Sequence, residues 1–282
     1  MLTRELQEEV ERHLRQKIVS MAPLSAANTV QIYRVVTDRN NTFVAKIAQH
    51  GMDLEAWMLG LLKERSHLPV PEVYYSNPHI IIMQFITPHH SLSAAGNRHA
   101  AEALAALHQV HSPLYGLDRD TMIGALPQPN KQDENWVDFF TTRRLLHMAE
   151  NALNEGKIDS DLMKKAEKLA GKLGQYITDP LPPSLIHGDV WGGNIITGND
   201  RVAAFIDPAI YYADPEIELA HIRLLNSFDE SFFTHYNEIN PIRPGFLEER
   251  VYIYCLYPLL VHTRMFGASY AHKAKKILDK FV

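Results

Sequence analysis

Apolar positions open the chain at every fourth residue: Leu2, Leu6, Val10, Leu14 and Ile18. Residues four apart share one face of an α-helix, so the spacing predicts an amphipathic helix. The pattern then changes. NTVQIYRVVT and TFVAKIA are rich in β-branched residues and flank the turn sequence DRNN, which predicts a β-hairpin. MDLEAWMLGLLKER returns to helical spacing, with Leu54, Trp57, Met58, Leu61 and Leu62 on one face. VPEVYYS and HIIIMQFI predict two more strands. Up to about Phe85 the chain reads as a small sheet with one leading and one inserted helix.

After TPHHSLS the character shifts. NRHAAEALAALHQVH, DENWVDFFTTRRLLHMAENALNE and SDLMKKAEKLAGKLGQYI all read as helices. Short apolar runs between Ser184 and Ala209 interrupt them, and helices resume at DPEIELAHIRLLNSF, ESFFTHYNEI and FLEERVYIYCLYPLLVHTRMFG. The expected fold class is α+β, with a small antiparallel-sheet N-lobe over residues 1–86 and a larger helical C-lobe over 87–282.

Composition narrows the function classes. The chain has 282 residues and is 46% hydrophobic, enough for a substantial core. The net charge of −5 arises from 28 basic and 33 acidic residues that are intermixed. That is not the basic footprint of a nucleic-acid binder, so no nucleic-acid partner is expected. No run of 18 apolar residues predicts a membrane span. The charged start MLTRELQEEVERHLRQ lacks the apolar segment of a signal peptide, and Cys255, the single cysteine, excludes an intrachain disulfide. A cytoplasmic location is expected. Oligomeric state is not legible.

Candidate chemistry concentrates in SLIHGDVWGGNIITGNDRVAAFIDPA, Ser184 to Ala209. Ile195–Thr197 and Val202–Ile206 can pair through the turn Gly198–Asp200. Such a hairpin brings Asn194 and Asp207 to one end, with Asp189 in the loop feeding it. Hard oxygen donors of this kind suit Mg²⁺, which takes few protein ligands and completes its shell with phosphates. The spacing His187-Gly188-Asp189, four residues, then Asn194 matches the catalytic loop of protein-kinase-like phosphotransferases. There the Asp accepts the substrate hydroxyl proton and the Asn holds a metal. Asp207 falls where a second metal-binding Asp is expected. Such a lobe also needs a strand lysine and a helix carboxylate. FVAKIA supplies Lys46 and DLEAWMLGLL supplies Glu55.

Over nearly its whole length the sequence resembles the fructosamine kinase (ketosamine-3-kinase) family, which has the aminoglycoside-phosphotransferase-like, protein-kinase-like fold. HGDVWGGN is similar to the family's HGD-[LV]-W-x-GN signature, and DPAIYY to its DPA-x-YY segment. PEIELA, MIGALPQPN, NWVDFFTTRRL and HTRMFGASY resemble further family elements in the same order. The resemblance implies a two-lobed kinase that uses ATP and Mg²⁺. Its acceptor would be a sugar hydroxyl, the 3-hydroxyl of a small-molecule ketosamine or of a glycated lysine. By position, Asp189 would be the base, and Asn194 and Asp207 would bind Mg²⁺ and phosphates. Lys46, oriented by Glu55, would position the phosphates. Met83, Gln84, Phe85 and Ile86 would form the hinge that receives adenine, and Trp191 would pack against the sugar.

Several features stay apart from this pattern. PLSAANTV has Ala26-Ala27 where the family's phosphate loop usually has glycines, which alone allow the closest backbone approach. YYADPE and LLNSF also depart from the usual family residues. Glu216 and Glu218 stand at the start of a helix, where negative charge suits the dipole; contact with an acceptor amine, Glu216 being the substrate-site candidate, is the alternative. His187 reads as a brace for the loop. A kinase for another hydroxylated amine, of aminoglycoside or choline type, and a weakly catalytic nucleotide-binding module are the competing functions.

Overall fold

The computed structural model describes residues 4–26, 30–89 and 92–282. The chain forms two compact units, one of residues 1–96 and 195–208, the other of residues 97–194 and 209–282.

The first unit begins with α1 (Arg4–Leu14), β1 (Ile18–Ala26), β2 (Val30–Thr37), β3 (Thr42–Ala48), α2 (Met52–Arg65), β4 (Val73–Asn77) and β5 (Ile80–Gln84). The strands form one antiparallel sheet in the order β1-β2-β3-β5-β4. β5 is a continuous apolar run because both its faces are covered. Ile80 and Ile82 pack with Val10 of α1, Val35, Phe43 and Ala45. Ile81 and Met83 pack on the other side with Met52 and Leu59 of α2.

Two expectations change here. The opening helix stops at Leu14, and Arg15 turns the chain with a positive φ of 51°. Ile18 starts β1 instead, and its side chain packs on the sheet core. β1 itself was not anticipated. Its Pro23 and serines hide a strand pattern, and an edge strand tolerates the missing N–H of Pro23. β1 and β2 therefore flank the supposed phosphate loop. Ala26 closes β1 opposite Gln31, while Ala27 lies outside the described residues.

The second unit runs through α3 (Ala94–Leu107) and the short pair β6 (Thr121–Ile123) and β7 (Leu126–Gln128). α4 (Trp136–Phe139) and α5 (Leu146–Asn154) are joined by a π-helical stretch, Phe140–Leu145. α6 (Ser160–Ala170), α7 (Leu173–Tyr176) and β8 (Ser184–Ile186) follow. The chain then makes the hairpin β9 (Ile195–Thr197) and β10 (Val202–Phe205), which belongs to the first unit. It returns with β11 (Tyr211–Ala213), paired to β8, then α8 (Glu216–Leu224), α9 (Glu230–Ile239), α10 (Val251–Phe266) and α11 (Ala268–Phe281).

Trp136, Phe139, Phe140, Tyr211 and Tyr254 form the aromatic heart of this unit. The architecture is the α+β one expected, an antiparallel-sheet unit and a helical unit. β6, β7 and α11 were not foreseen, the strands because three residues carry too little periodicity. Among the described residues no helix is long and apolar enough to cross a membrane.

Candidate active site

In the first unit the strand period places the lysine. Val44, Lys46 and Ala48 alternate with Phe43, Ala45 and Ile47, so Lys46 points to the face that α2 covers. On α2, Met52, Glu55 and Leu59 fall on one helical stripe, which sets a carboxylate in an otherwise apolar face. The two groups meet. Lys46 Nζ donates to both oxygens of Glu55, at 2.7 and 2.8 Å, and to Oδ1 of Asp207 at 2.5 Å. Lys46 and Glu55 are buried.

Burial works against the Lys46 ammonium, but Glu55 and then Asp207 outweigh it, so its pKa rises above the ordinary value. Burial pushes the Glu55 carboxyl up, against the pull of Lys46. Asp207 reaches the lysine from a left-handed conformation, φ 55°, just beyond the end of β10. Aspartate tolerates that region better than most side chains. The expected hairpin forms, although its connection runs over Gly198–Arg201, one residue longer than the turn read from the sequence: Thr197 pairs with Val202 and Ile195 with Phe205, two residues before Asp207. The proposed hinge residues follow from β5. Met83 is buried, Gln84 N–H donates to Glu72 O at 2.8 Å, and Phe85 and Ile86 continue beyond the last strand pair.

In the second unit the loop after β8 is held by its backbone. Gly188 has φ 85°, and a Cβ there would stand 2.1 Å from the carbonyl oxygen of Ala209, so only glycine fits. Ala209 N–H donates to His187 O at 2.8 Å. Glu218 of α8 accepts from Gly188 N–H at 2.6 Å and from His187 N–H at 3.3 Å. The same carboxylate pairs with His108 Nε2 at 2.9 Å, and His108 Nδ1 lies 2.6 Å from the Tyr236 hydroxyl. Burial works against its charge, yet His108, His187 and the Gly188 N–H hold Glu218 below the usual carboxylate range.

So fixed, the loop presents Asp189. Asn194 Nδ2 donates to Oδ2 of Asp189 and to its backbone carbonyl, both at 2.9 Å. The amide oxygen is then what Asn194 can offer a cation. Trp191 lies over Gly193 and is 43% exposed, a large aromatic surface open to solvent.

The fructosamine kinase family model matches residues 2–282. The chain belongs to the fructosamine kinase family. It is 32% identical over 271 residues to a probable ketoamine kinase of Enterococcus faecium, covering 92% of this chain and 94% of that one. A probable ketoamine kinase of Escherichia coli is 32% identical over 240 residues, 82% of this chain and 81% of the relative. Among solved structures, a Thermobifida fusca protein assigned as a fructosamine-3-kinase is similar with TM-score 0.89 and 25% identity, over 99% of this chain and 98% of that one. An aminoglycoside phosphotransferase in complex with ADP and hygromycin B has TM-score 0.69 at 15% identity, covering 98% of each chain, which shows the shared kinase-like fold.

Family membership makes sense of motif residues that carry no chemistry of their own. Gln128 of the MIGALPQPN element donates to Ala209 O at 3.0 Å and accepts from the Tyr257 hydroxyl at 2.6 Å. Arg144, in the π-helical stretch, donates to Pro129 O and to Asn130 Oδ1, and its guanidinium lies 3.8 Å from the Tyr211 ring centroid. These buried contacts fix the segment around Ala209, on which the Gly188 loop leans.

Glu216 takes a different place from the expected one. It is buried, and both oxygens are engaged by Arg250, at 2.6 and 3.0 Å, and by Arg243, at 2.8 and 3.2 Å. Arg243 also reaches the buried Asp214 at 2.6 Å. A carboxylate held by two guanidiniums is not open to an acceptor amine. Glu218 stands with Glu216 in the first turn of α8, as the dipole reading expects, and its buried carboxylate is taken up in bracing the loop. Its one signal in the sequence was His108, directly after the Ala- and Leu-rich helix α3.

Proposed function

We propose that the protein is an ATP-dependent kinase that transfers the γ-phosphate to a sugar hydroxyl of a ketosamine, free or on a lysine side chain. The observation that carries this reading is the joint arrangement in each unit: a buried Lys46–Glu55–Asp207 cluster in one, and an Asp189–Asn194 pair on a braced loop in the other. Family membership narrows the acceptor to a ketosamine.

In this reading Lys46 holds phosphate oxygens and Glu55 keeps the lysine charged and aimed. Asp189 takes the proton of the attacking hydroxyl as the phosphoryl group moves, so that positioning and charge neutralisation supply most of the rate. Asp207 in the first unit and Asn194 in the second each carry a hard oxygen of the kind Mg²⁺ takes. When bound, Mg²⁺ would neutralise charge on the β- and γ-phosphates. Backbone groups of Met83–Ile86 receive adenine, and Trp191 offers its face to the apolar side of the sugar. Cytoplasmic action on small metabolites or glycated proteins accords with this chemistry.

The test is ADP release with ATP and Mg²⁺ against a panel of synthetic ribulosamine, synthetic fructosamine, an aminoglycoside and choline. Turnover selective for the ketosamines supports the reading. Selectivity for another amine overturns the acceptor assignment, and Mg²⁺-dependent ATP binding without turnover on any acceptor overturns catalysis.

A further inference from the structure

His221 is a buried titratable group that this reaction scheme leaves unused. It lies on α8, three residues after Glu218 and so on nearly the same helical face. Its Nε2 is 3.4 Å from Oδ1 of Asp189, yet buried without a partner in hydrogen-bond geometry. A buried ring nitrogen in that state is costly unless some state of the molecule satisfies it. The nearest carboxylate is the one that must be aimed at the acceptor. The two oxygens of Asp189 therefore face different groups, Oδ2 the Asn194 amide and Oδ1 the His221 ring.

We infer that His221 is a positioning residue: its Nε2–H donates to Oδ1 of Asp189 in the working complex and, with Asn194, fixes the rotation of the carboxylate toward the acceptor hydroxyl. This rests on the reading of Asp189 as the base. The charged and titratable groups around His221 are Asp189 and His187 of the loop, Glu218 of α8 and His262 of α10. Burial, then His262, push its pKa down to about 4 despite Glu218, so the ring is neutral at neutral pH. A neutral imidazole beside a carboxylate carries its hydrogen on the facing nitrogen. Proton balance is unchanged: the hydroxyl proton goes to Asp189 and His221 keeps its own. A small rotation of either side chain turns the 3.4 Å approach into a hydrogen bond.

The experiment compares His221→Met, which keeps bulk and removes the donor, with His221→Gln, which keeps an N–H donor on a chain of similar reach. Initial rates are measured with ATP and a synthetic ribulosamine, with melting curves alongside. The expected result is a kcat about tenfold lower for Met, the scale of one hydrogen bond to a charged group. KM for both substrates should stay near the parent's, and Gln should recover most of the rate. Parent-like kcat in the Met variant, or a Gln variant as slow as Met, overturns the inference. ¹⁵N spectra of the parent protein give a reading that no variant's folding can obscure. Nε2 of His221 should be the protonated nitrogen, and a bare Nε2 overturns the proposal. Asp189→Asn separates the two levels. If that variant keeps the parent's turnover, the base assignment fails; if it is inactive while His221→Met is at parent rate, only the role of His221 fails.

Discussion

The Lys46 cluster and the Asp189 loop solve the same problem, a polar group held inside a protein, by opposite means. In the first unit full charges are set directly against one another, with one ammonium shared by two carboxylates. In the second the Asp189 carboxylate is met by an amide and approached by an imidazole, and the loop beneath it hangs on backbone N–H groups and one buried glutamate. The difference suits the two jobs proposed for them. Phosphates and a cation rearrange charge, so a cluster already rich in charge can exchange partners. A base that accepts one proton needs fixed aim and few competing charges. The cluster is thus electrostatically tight, while the loop is sterically tight, as the 2.1 Å clash that any Cβ at Gly188 would make demonstrates.

The sharpest way to break the comparison is Asp189→Asn. It should keep the fold and lower turnover by roughly two to four orders of magnitude, the range for a lost general base. Initial rates and circular dichroism on one preparation check it, and near-parent rates in a folded variant remove Asp189 from the mechanism. Lys46→Met attacks the other region. It leaves Glu55 buried beside Asp207 without the ammonium, and a broken buried ion pair destabilises by about 3–5 kcal/mol. Urea unfolding should show that loss together with weaker ATP binding; unchanged stability means the cluster is not the electrostatic unit described.

What the sequence revealed divides along the same line. Lys46, Glu55, Asp189, Asn194 and Asp207 stood out as candidates by residue type and spacing, and the structure joins Lys46 to Glu55 and Asp207, and Asn194 to Asp189. The sheet was legible from strand composition and the main helices from their apolar period. Bracing was not. Glu218 and His108 lie 110 residues apart, and no local pattern announces such a pair. Glu216 misled because an acidic residue at a helix start looks available, while Arg243 and Arg250, which close over it, come from distant segments. β1 was missed because Pro23 argues against a strand until the strand is known to lie at an edge.

Smaller effects sharpen the account of the loop. Glu218→Gln keeps shape but replaces the charge that takes the Gly188 and His187 N–H groups. It should cost about 1.5–3 kcal/mol in stability, the scale of hydrogen bonds to a charged group, and turnover should fall as Asp189 loses its aim. Calorimetric melting and kcat measured together check both.

A pH series tests the burial of His221. The unfolded chain protonates it near its ordinary 6.5, the folded chain only near 4, so folding loses stability as pH falls from about 6.5 toward 4. At pH 5 this group alone accounts for roughly 2 kcal/mol. His221→Met should flatten that part of the stability profile; an identical profile in parent and variant shows that the ring is not buried neutral. The smallest effect belongs to the exposed indole. Trp191→Ala should raise KM for a ketosamine about tenfold, the scale of one aromatic contact, and leave KM for ATP near the parent's. A change confined to ATP places the indole on the wrong substrate.

The central claim is phosphoryl transfer to the sugar of a ketosamine, and the product reports on it most directly. The purified protein is incubated with ATP, Mg²⁺ and a synthetic ribulosamine carrying ¹³C at each sugar carbon, and ³¹P and ¹³C spectra are followed together. The account predicts ADP and a single phosphate monoester whose phosphorus couples to the carbon of the sugar 3-hydroxyl, formed by the parent and not by Asp189→Asn. ATP hydrolysis to free phosphate with no phosphorylated sugar, or product formed equally by the Asp189→Asn variant, contradicts it.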